Sequence, residues 1–306
     1  MASWHVAKVP RFLLLTCWLI SMLTALKNPF RLPQIHGHRG CRGLFPENTL
    51  PAFLHAVHLG VEVLELDVVI SADHQVVVAH DPWLPAHLGL SPTGQRIDAC
   101  RERDYNIYRL PYSTIKQSML GILPQPLFPE QQLVPTYRPL LREVLEATEA
   151  TCQSIGRAPV GYSIEIKSTA ATDTIFHPTP ILFTELVLQA IPTAIVARTT
   201  ILSFDERILQ AARSIQPITR VCLLVETPFS PEQLFDSLGF IPAVFGPEFQ
   251  LLNHEALKSI RELYPSLSVV PWTINEPSAI ERAVSWQVDG ITTDYPNRAI
   301  FLLAQG

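Results

Sequence analysis

VEVLELDVVISADHQVVVAH, residues 61–80, reads as two apolar, β-branched runs with a turn between them. The pattern predicts a strand over 61–69 and a short returning strand over 75–80, joined through SADH as a hairpin extension. Glu65 and Asp67 lie inside the first run, and residues two apart in a strand face the same way. A strand that should be buried therefore presents two carboxylates together. His80 closes the second run, and Asp81 follows it.

Working outward, QIHGHRG (34–40) reads as a strand and its exit loop. A helix follows, capped by Asn48 or Thr49, with Pro51 in its first turn and apolar residues through Leu59. Residues 82–138 break the rhythm, being rich in Pro, Tyr and Gln without a clean period. So long an aperiodic stretch inside a compact domain predicts an ordered functional insertion such as a lid. Alternation then resumes, with strands at 160–167, 199–204, 220–225, 241–247, 266–272 and 288–294. Helical patterns precede and follow each of these and close the chain at 297–304. Apart from the hairpin extension, eight strands are each followed by a helix. That count predicts a closed (β/α)₈ barrel, the TIM-barrel fold, with an insertion after the second strand. The alternative, a doubly wound sheet, lacks its GxGxxG turn here.

The chain has 306 residues, 47% of them hydrophobic, enough for one barrel of about 250 residues. A net charge of −5 argues against nucleic-acid binding, which needs a basic surface. Proline is abundant (27) and glycine scarce (13), favouring ordered loops. The five cysteines show no metal-ligand spacing and read as buried apolar groups or free thiols, with a disulfide or two left open if the chain is exported. Lys8 and Arg11 precede an uncharged run over 12–26, shorter than the roughly 20 residues that span a bilayer. Residues 1–30 thus form an N-terminal hydrophobic segment: a signal peptide, a signal anchor or a packed helix. The first two favour an exported or membrane-associated protein, with 31–306 forming the barrel. No feature of the sequence speaks to oligomeric state.

Polar residues late in barrel strands project into the C-terminal mouth, where barrel enzymes do their chemistry. His38 and Arg39 end the first strand, Glu65 and Asp67 ride the second, Glu165 and Lys167 the third, and Asp294 ends the last. Singly, each has an ordinary reading: a solvated acid, a surface ion pair, a hydrogen-bonded structural histidine. Together they are harder to dismiss. Three carboxylates at one mouth repel unless a cation sits among them. An oxygen-only set of Glu65, Asp67 and Glu165 suits a hard divalent ion, Mg²⁺ or Ca²⁺. Arg39 and Lys167 offer anion contacts beside it, and His38 and His80 can pass protons near neutral pH.

The set HRG (38–40), PENT (46–49), ELD (65–67), HD (80–81), EIK (165–167), PWTIN (271–275) and DGITTDYP (289–296) resembles the glycerophosphodiester phosphodiesterase family. The match runs from about residue 35 to 300 in the family's order. The resemblance implies a TIM barrel with an insertion after the second strand. It implies His38 and His80 as the acid/base pair, Glu65, Asp67 and Glu165 as metal ligands, and Arg39 and Lys167 as phosphate contacts. Glu47 matches the family's acidic residue beside the first loop, with a metal or hydrogen-bonding role; a helix N-terminus would equally favour a carboxylate there. Trp272 and Phe204 fall where the family shapes an apolar wall, and Asp294 where a supporting acid sits. The expected reaction is hydrolysis of a glycerophosphodiester to sn-glycerol 3-phosphate and an alcohol. The alternatives are a lysophospholipase D-type enzyme acting on lysophospholipid, and a non-catalytic membrane-tethered binding barrel.

Overall fold

The structure, a computed structural model, describes residues 32–305. The hydrophobic run over 12–26, with its three readings, lies outside them. Among the described residues no helix is long and apolar enough to cross a membrane.

The first half holds β1 (Gln34–Gly37), α1 (Leu50–Leu59), β2 (Val63–Ile70), β3 (Val76–Val78), α2 (Tyr112–Ile115), α3 (Leu141–Ser154), β4 (Gly161–Ile166) and α4 (Pro180–Ala190). The second half holds β5 (Thr199–Ser203), α5 (Glu206–Ile215), β6 (Arg220–Val225), α6 (Pro231–Leu238), β7 (Val244–Pro247) and α7 (His254–Leu263). β8 (Ser268–Val269), α8 (Pro277–Ser285), β9 (Gly290–Thr293) and α9 (Pro296–Leu303) complete it. The sheet runs β8-β7-β6-β5-β4-β2-β1-β9, all neighbours parallel, with β3 antiparallel on β2. Backbone bonds draw the two ends together: Asp289 N–H donates to Val269 O at 2.9 Å and Thr292 N–H to Pro271 O at 3.1 Å. The result is the predicted eight-stranded TIM-type barrel, nearly closed.

β2 is buried along its whole length, as a parallel strand covered on both faces must be. Leu64, Leu66, Val68 and Ile70 join the large apolar cluster that includes Phe53 of α1 and Val144 of α3. The opposite parity carries Glu65 and Asp67. A separate apolar cluster of Leu202, Cys222, Leu224 and Val244 packs with Phe204, Val270 and Trp272. A Cβ at Gly246 would stand 2.7 Å from Leu224 Cδ2, so a larger residue there would require the Leu224 side chain to shift. Proline occupies the first turn of α1, α4, α6, α8 and α9, where its missing N–H costs nothing. This use accounts for part of the chain's high proline content.

The cap of α1 differs from expectation. Thr49 holds the N-cap position but its hydroxyl donates to Pro46 O, and neither it nor Asn48 caps the helix. Asn48 is turned elsewhere, as described below. The stretch after β3 is ordered by short 3₁₀ turns, α2 and backbone pairing rather than by any long element. Leu120 and Thr136 exchange two backbone bonds, and Val78 N–H donates to Pro139 O at 2.8 Å. A second apolar cluster, with Val69, Val77, Leu84, Ile107, Ile115 and Leu140, lies between this stretch and the hairpin. Its anchor is the outer face of the β2–β3 hairpin, which explains why its own sequence shows no amphipathic period. Cys41, Cys100, Cys152 and Cys222 are free thiols.

Candidate active site

Strand parity brings Glu65 and Asp67 of β2 beside Glu165 of β4, paired in register through Asp67 and Glu165. One carboxylate oxygen from each lies within 4.8 Å of the others, and all three residues are buried. Burial, with Asp67 and Glu165 adding repulsion, pushes the Glu65 carboxyl well above its ordinary range. Glu165 is also raised, chiefly by burial. Burial would raise Asp67 too, but Arg39, Lys167, His80 and Asn48 together hold it far below the usual carboxylate range. A buried oxygen cage under such strain fits a hard divalent cation, whose charge would offset the repulsion. Lys167 partly answers that demand, its ammonium 2.7 Å from Glu165 and 3.6 Å from Asp67.

The loop after β1 supplies the next group of residues. Arg39, Gly40 and Asn48 all have positive φ. Gly40 must be glycine, because a Cβ there would meet the backbone of Ala52 and Phe53 within 2.9 Å. The turn aims the Arg39 N–H at Glu65 Oε2 (2.8 Å). Its guanidinium pairs with Glu47 (2.8 Å) and approaches Asp67 (3.3 Å). Glu47 is thus a partner of Arg39. Asn48 donates to Asp67 Oδ2 at 2.8 Å and accepts from the Asp67 N–H at 3.2 Å.

His38 is held between two carboxylates. Its Nδ1 lies 2.6 Å from Asp294 Oδ1, and its Nε2 lies 3.9 Å from Glu65 Oε2. Burial would raise Asp294, but His38 and Arg42 outweigh it and keep the group ionised. An ionised acceptor at Nδ1 fixes the tautomer with the proton there and leaves Nε2 facing the acidic triad. Burial also pulls the imidazole below its ordinary value, only partly opposed by Asp294. Arg42 forks onto Asp294 (2.9 and 3.1 Å), and Asn275 donates to it at 2.8 Å.

His80 leaves β3 just after Ala79, whose N–H donates to Asp67 O at 3.0 Å. The hairpin therefore returns the chain to the acids, and His80 acts on both Asp67 and Glu165 electrostatically. Its Nδ1 lies 3.2 Å from Asp81 Oδ1. Across the mouth, Trp272 Nε1–H donates to Gly246 O at 2.7 Å, and its ring meets Phe204 edge-on at 5.6 Å. Phe204 in turn faces Lys167 at 6.0 Å. All eleven site residues singled out from the sequence thus lie on one connected network or on the aromatic wall beside it. Three participants had no role assigned at the site: Asn48, expected only as a helix cap, Arg42 and Asn275. Asn48 and Asn275 lie inside motifs already quoted, PENT and PWTIN, whereas Arg42 carries no local signal.

A TIM-type barrel whose mouth holds a buried acidic triad, two flanking cations and an Asp-held histidine is equipped for hydrolysis at phosphorus. A family model described as the glycerophosphoryl diester phosphodiesterase family matches residues 38–298. The chain belongs to that family, and is one of its phosphoric diester hydrolases. It is 26% identical over 273 residues to a glycerophosphodiester phosphodiesterase of Bacillus altitudinis, covering 88% of this chain and 97% of that one. A lysophospholipase D of Rattus norvegicus is 26% identical over 290 residues, 85% of this chain and 83% of its own length. Among solved structures, a candidate glycerophosphoryl diester phosphodiesterase of Silicibacter pomeroyi superposes with a TM-score of 0.79 at 28% identity, covering 93% of this chain and 97% of that one.

Proposed function

We propose that this chain hydrolyses a glycerophosphodiester to sn-glycerol 3-phosphate and an alcohol. The observation that carries the reading is the His38 arrangement: one ring nitrogen bound by Asp294, the other 3.9 Å from Glu65, itself one of three converging carboxylates. Glu65, Asp67 and Glu165 would hold Mg²⁺ or Ca²⁺, which when bound supplies Lewis-acid stabilisation of charge on the phosphate.

The chain's own residues perform the remaining steps. Arg39 and Lys167 bind the phosphate as charged donors, and Trp272 with Phe204 walls the glycerol side. His38 Nε2 accepts the proton of the attacking oxygen, either from water or from the substrate's 2-hydroxyl, the latter forming a cyclic phosphate that water then opens. Asp294 retains the Nδ1 proton and stabilises the imidazolium that forms. His80 donates a proton to the departing alkoxide. Glu47 keeps Arg39 oriented. Positioning and charge stabilisation provide most of the acceleration, because the unaided reaction is extremely slow.

His38→Ala and His80→Ala, each assayed with saturating metal, should lose at least about 100-fold in kcat. Near-wild-type rates in both would refute the assignment.

A second reading, lysophospholipase D activity on a lipid substrate, is favoured by exposed apolar side chains on the stretch beyond β3. Leu127 is 84% exposed, with Met119 and Leu133 also on the surface. Turnover of glycerophosphocholine against a long-chain lysophospholipid separates the two. A binding-only barrel would be expected to lack a histidine or an acid of the set, and none is missing. Export or membrane association through residues 12–26 is part of the same proposal, tested by fractionating the untagged protein.

A further inference from the structure

Arg138 is among the most deeply buried charged residues of the described chain, at 3% exposure, and the reaction as laid out above does not use it. The one hydrogen bond its guanidinium makes among the described residues runs from Nη1 to the Ser118 hydroxyl at 3.0 Å. A guanidinium buried for stability alone is expected to be closed by a forked carboxylate, because stranding the charge is costly. Here no such ion pair forms among the described residues. The residue instead lines a small cleft together with Glu47, Asn48, Ala79, His80 and Asp81.

The backbone explains how it arrives there. Leu140 bridges Val77 of β3, and Val78 N–H bonds Pro139 O, so the returning end of the insertion lies alongside the strand that delivers His80. Gly121 packs this returning segment against the first loop: a Cβ there would reach Pro46 Cγ at 2.7 Å. Each acid in the cleft already has a partner within the active site. Glu47 holds Arg39 at 2.8 Å, and Asp81 lies 3.2 Å from His80.

We propose that Arg138 is a positioning residue: lining the same cleft as Asp81 and His80, its buried charge biases the Asp81 carboxylate across that cleft and, through it, sets the orientation of His80. Burial lowers the Arg138 guanidinium to about 10, with the charges of Glu47 and Asp81 opposing it only in part. The insertion is then part of the catalytic apparatus, supplying from outside the barrel the cation that steadies its second histidine. This role rests on the phosphodiesterase reading above.

The test is steady-state kinetics on the full chain with glycerophosphocholine, for Arg138→Gln and Arg138→Lys, alone and in a His80→Ala background. Arg138→Gln should lower kcat about tenfold with KM within about twofold, and Arg138→Lys should recover most of the loss. In the His80→Ala background Arg138→Gln should cost nothing further, since the effect passes through His80. An unchanged kcat, or an equal loss with and without His80, overturns the role. Failure of both variants to fold would assign Arg138 to stability alone and overturn it too. An inactive wild type overturns the phosphodiesterase reading, and this role with it; an active wild type with an indifferent Arg138→Gln overturns only the role of Arg138.

Discussion

Asp294 and Asn48 touch no reacting atom in the proposed reaction, yet each sets the state of one that does. Asp294 holds His38 at 2.6 Å, and an amide in its place would no longer fix the proton on Nδ1. Asp294→Asn should reduce kcat by about 10–100-fold with little change in KM. A parallel rise in KM at constant kcat would show that Asp294 serves binding instead. Asn48 donates to one oxygen of Asp67, so Asn48→Ala should weaken metal affinity by about tenfold or more, read by calorimetric titration. Unchanged affinity would make that bond irrelevant to the cation. Strand parity alone predicts that Glu65 and Asp67 point together, whereas the roles of Asn48 and Arg42 depend on positive-φ turns that fold the loop after β1 back over the acids. No periodicity encodes such turns, which is why Arg42 carries no signal in the sequence and Asn48 reads there only as a helix cap.

Single strands and helices were the most readable part of the chain, because alternation of β-branched runs with amphipathic ones survives in any barrel. β8 is the exception, with only Ser268–Val269 keeping regular pairing where a strand over 266–272 was expected. The chain continues through Pro271, which has no N–H to give a ladder. At the other end of β4, Glu149 of α3 ties its helix to the barrel. Arg198 forks onto Glu149 at 2.9 and 2.6 Å, and the Tyr162 hydroxyl donates to it at 2.6 Å. Burial would raise the Glu149 carboxyl, but these partners outweigh it and lower it from 4.5. Its stabilising contribution is therefore complete above pH 4.5 and is lost as pH falls through the lower folded value. The pair is about a third exposed, so Glu149→Gln should cost only about 1 kcal/mol at neutral pH. Denaturant titrations should show that difference shrinking below pH 4.5. A gap that persists unchanged at lower pH would assign the loss to packing.

The molecule as a whole gathers groups from β1, β2, β3, β4 and β9 at one mouth, and long sequence separations are what hid the details. Glu165 is about a hundred residues from Asp67 in sequence but pairs with it in register, a consequence of β4 lying beside β2 once β3 is set aside as an extension. Arg138 was invisible for the same reason: its partners across the cleft are set by how the insertion returns to β3. The barrel and its acidic triad could be read from the chain because they follow from period and parity; the supports around them depend on loops. The most direct test of the account is release of sn-glycerol 3-phosphate from glycerophosphocholine by purified protein, with Mg²⁺ or Ca²⁺ and with EDTA, for the wild type and Glu65→Gln. Product that appears with metal and is abolished by EDTA and by Glu65→Gln is the predicted result. Absence of product across a panel of headgroups, or an equal rate in EDTA, would contradict it.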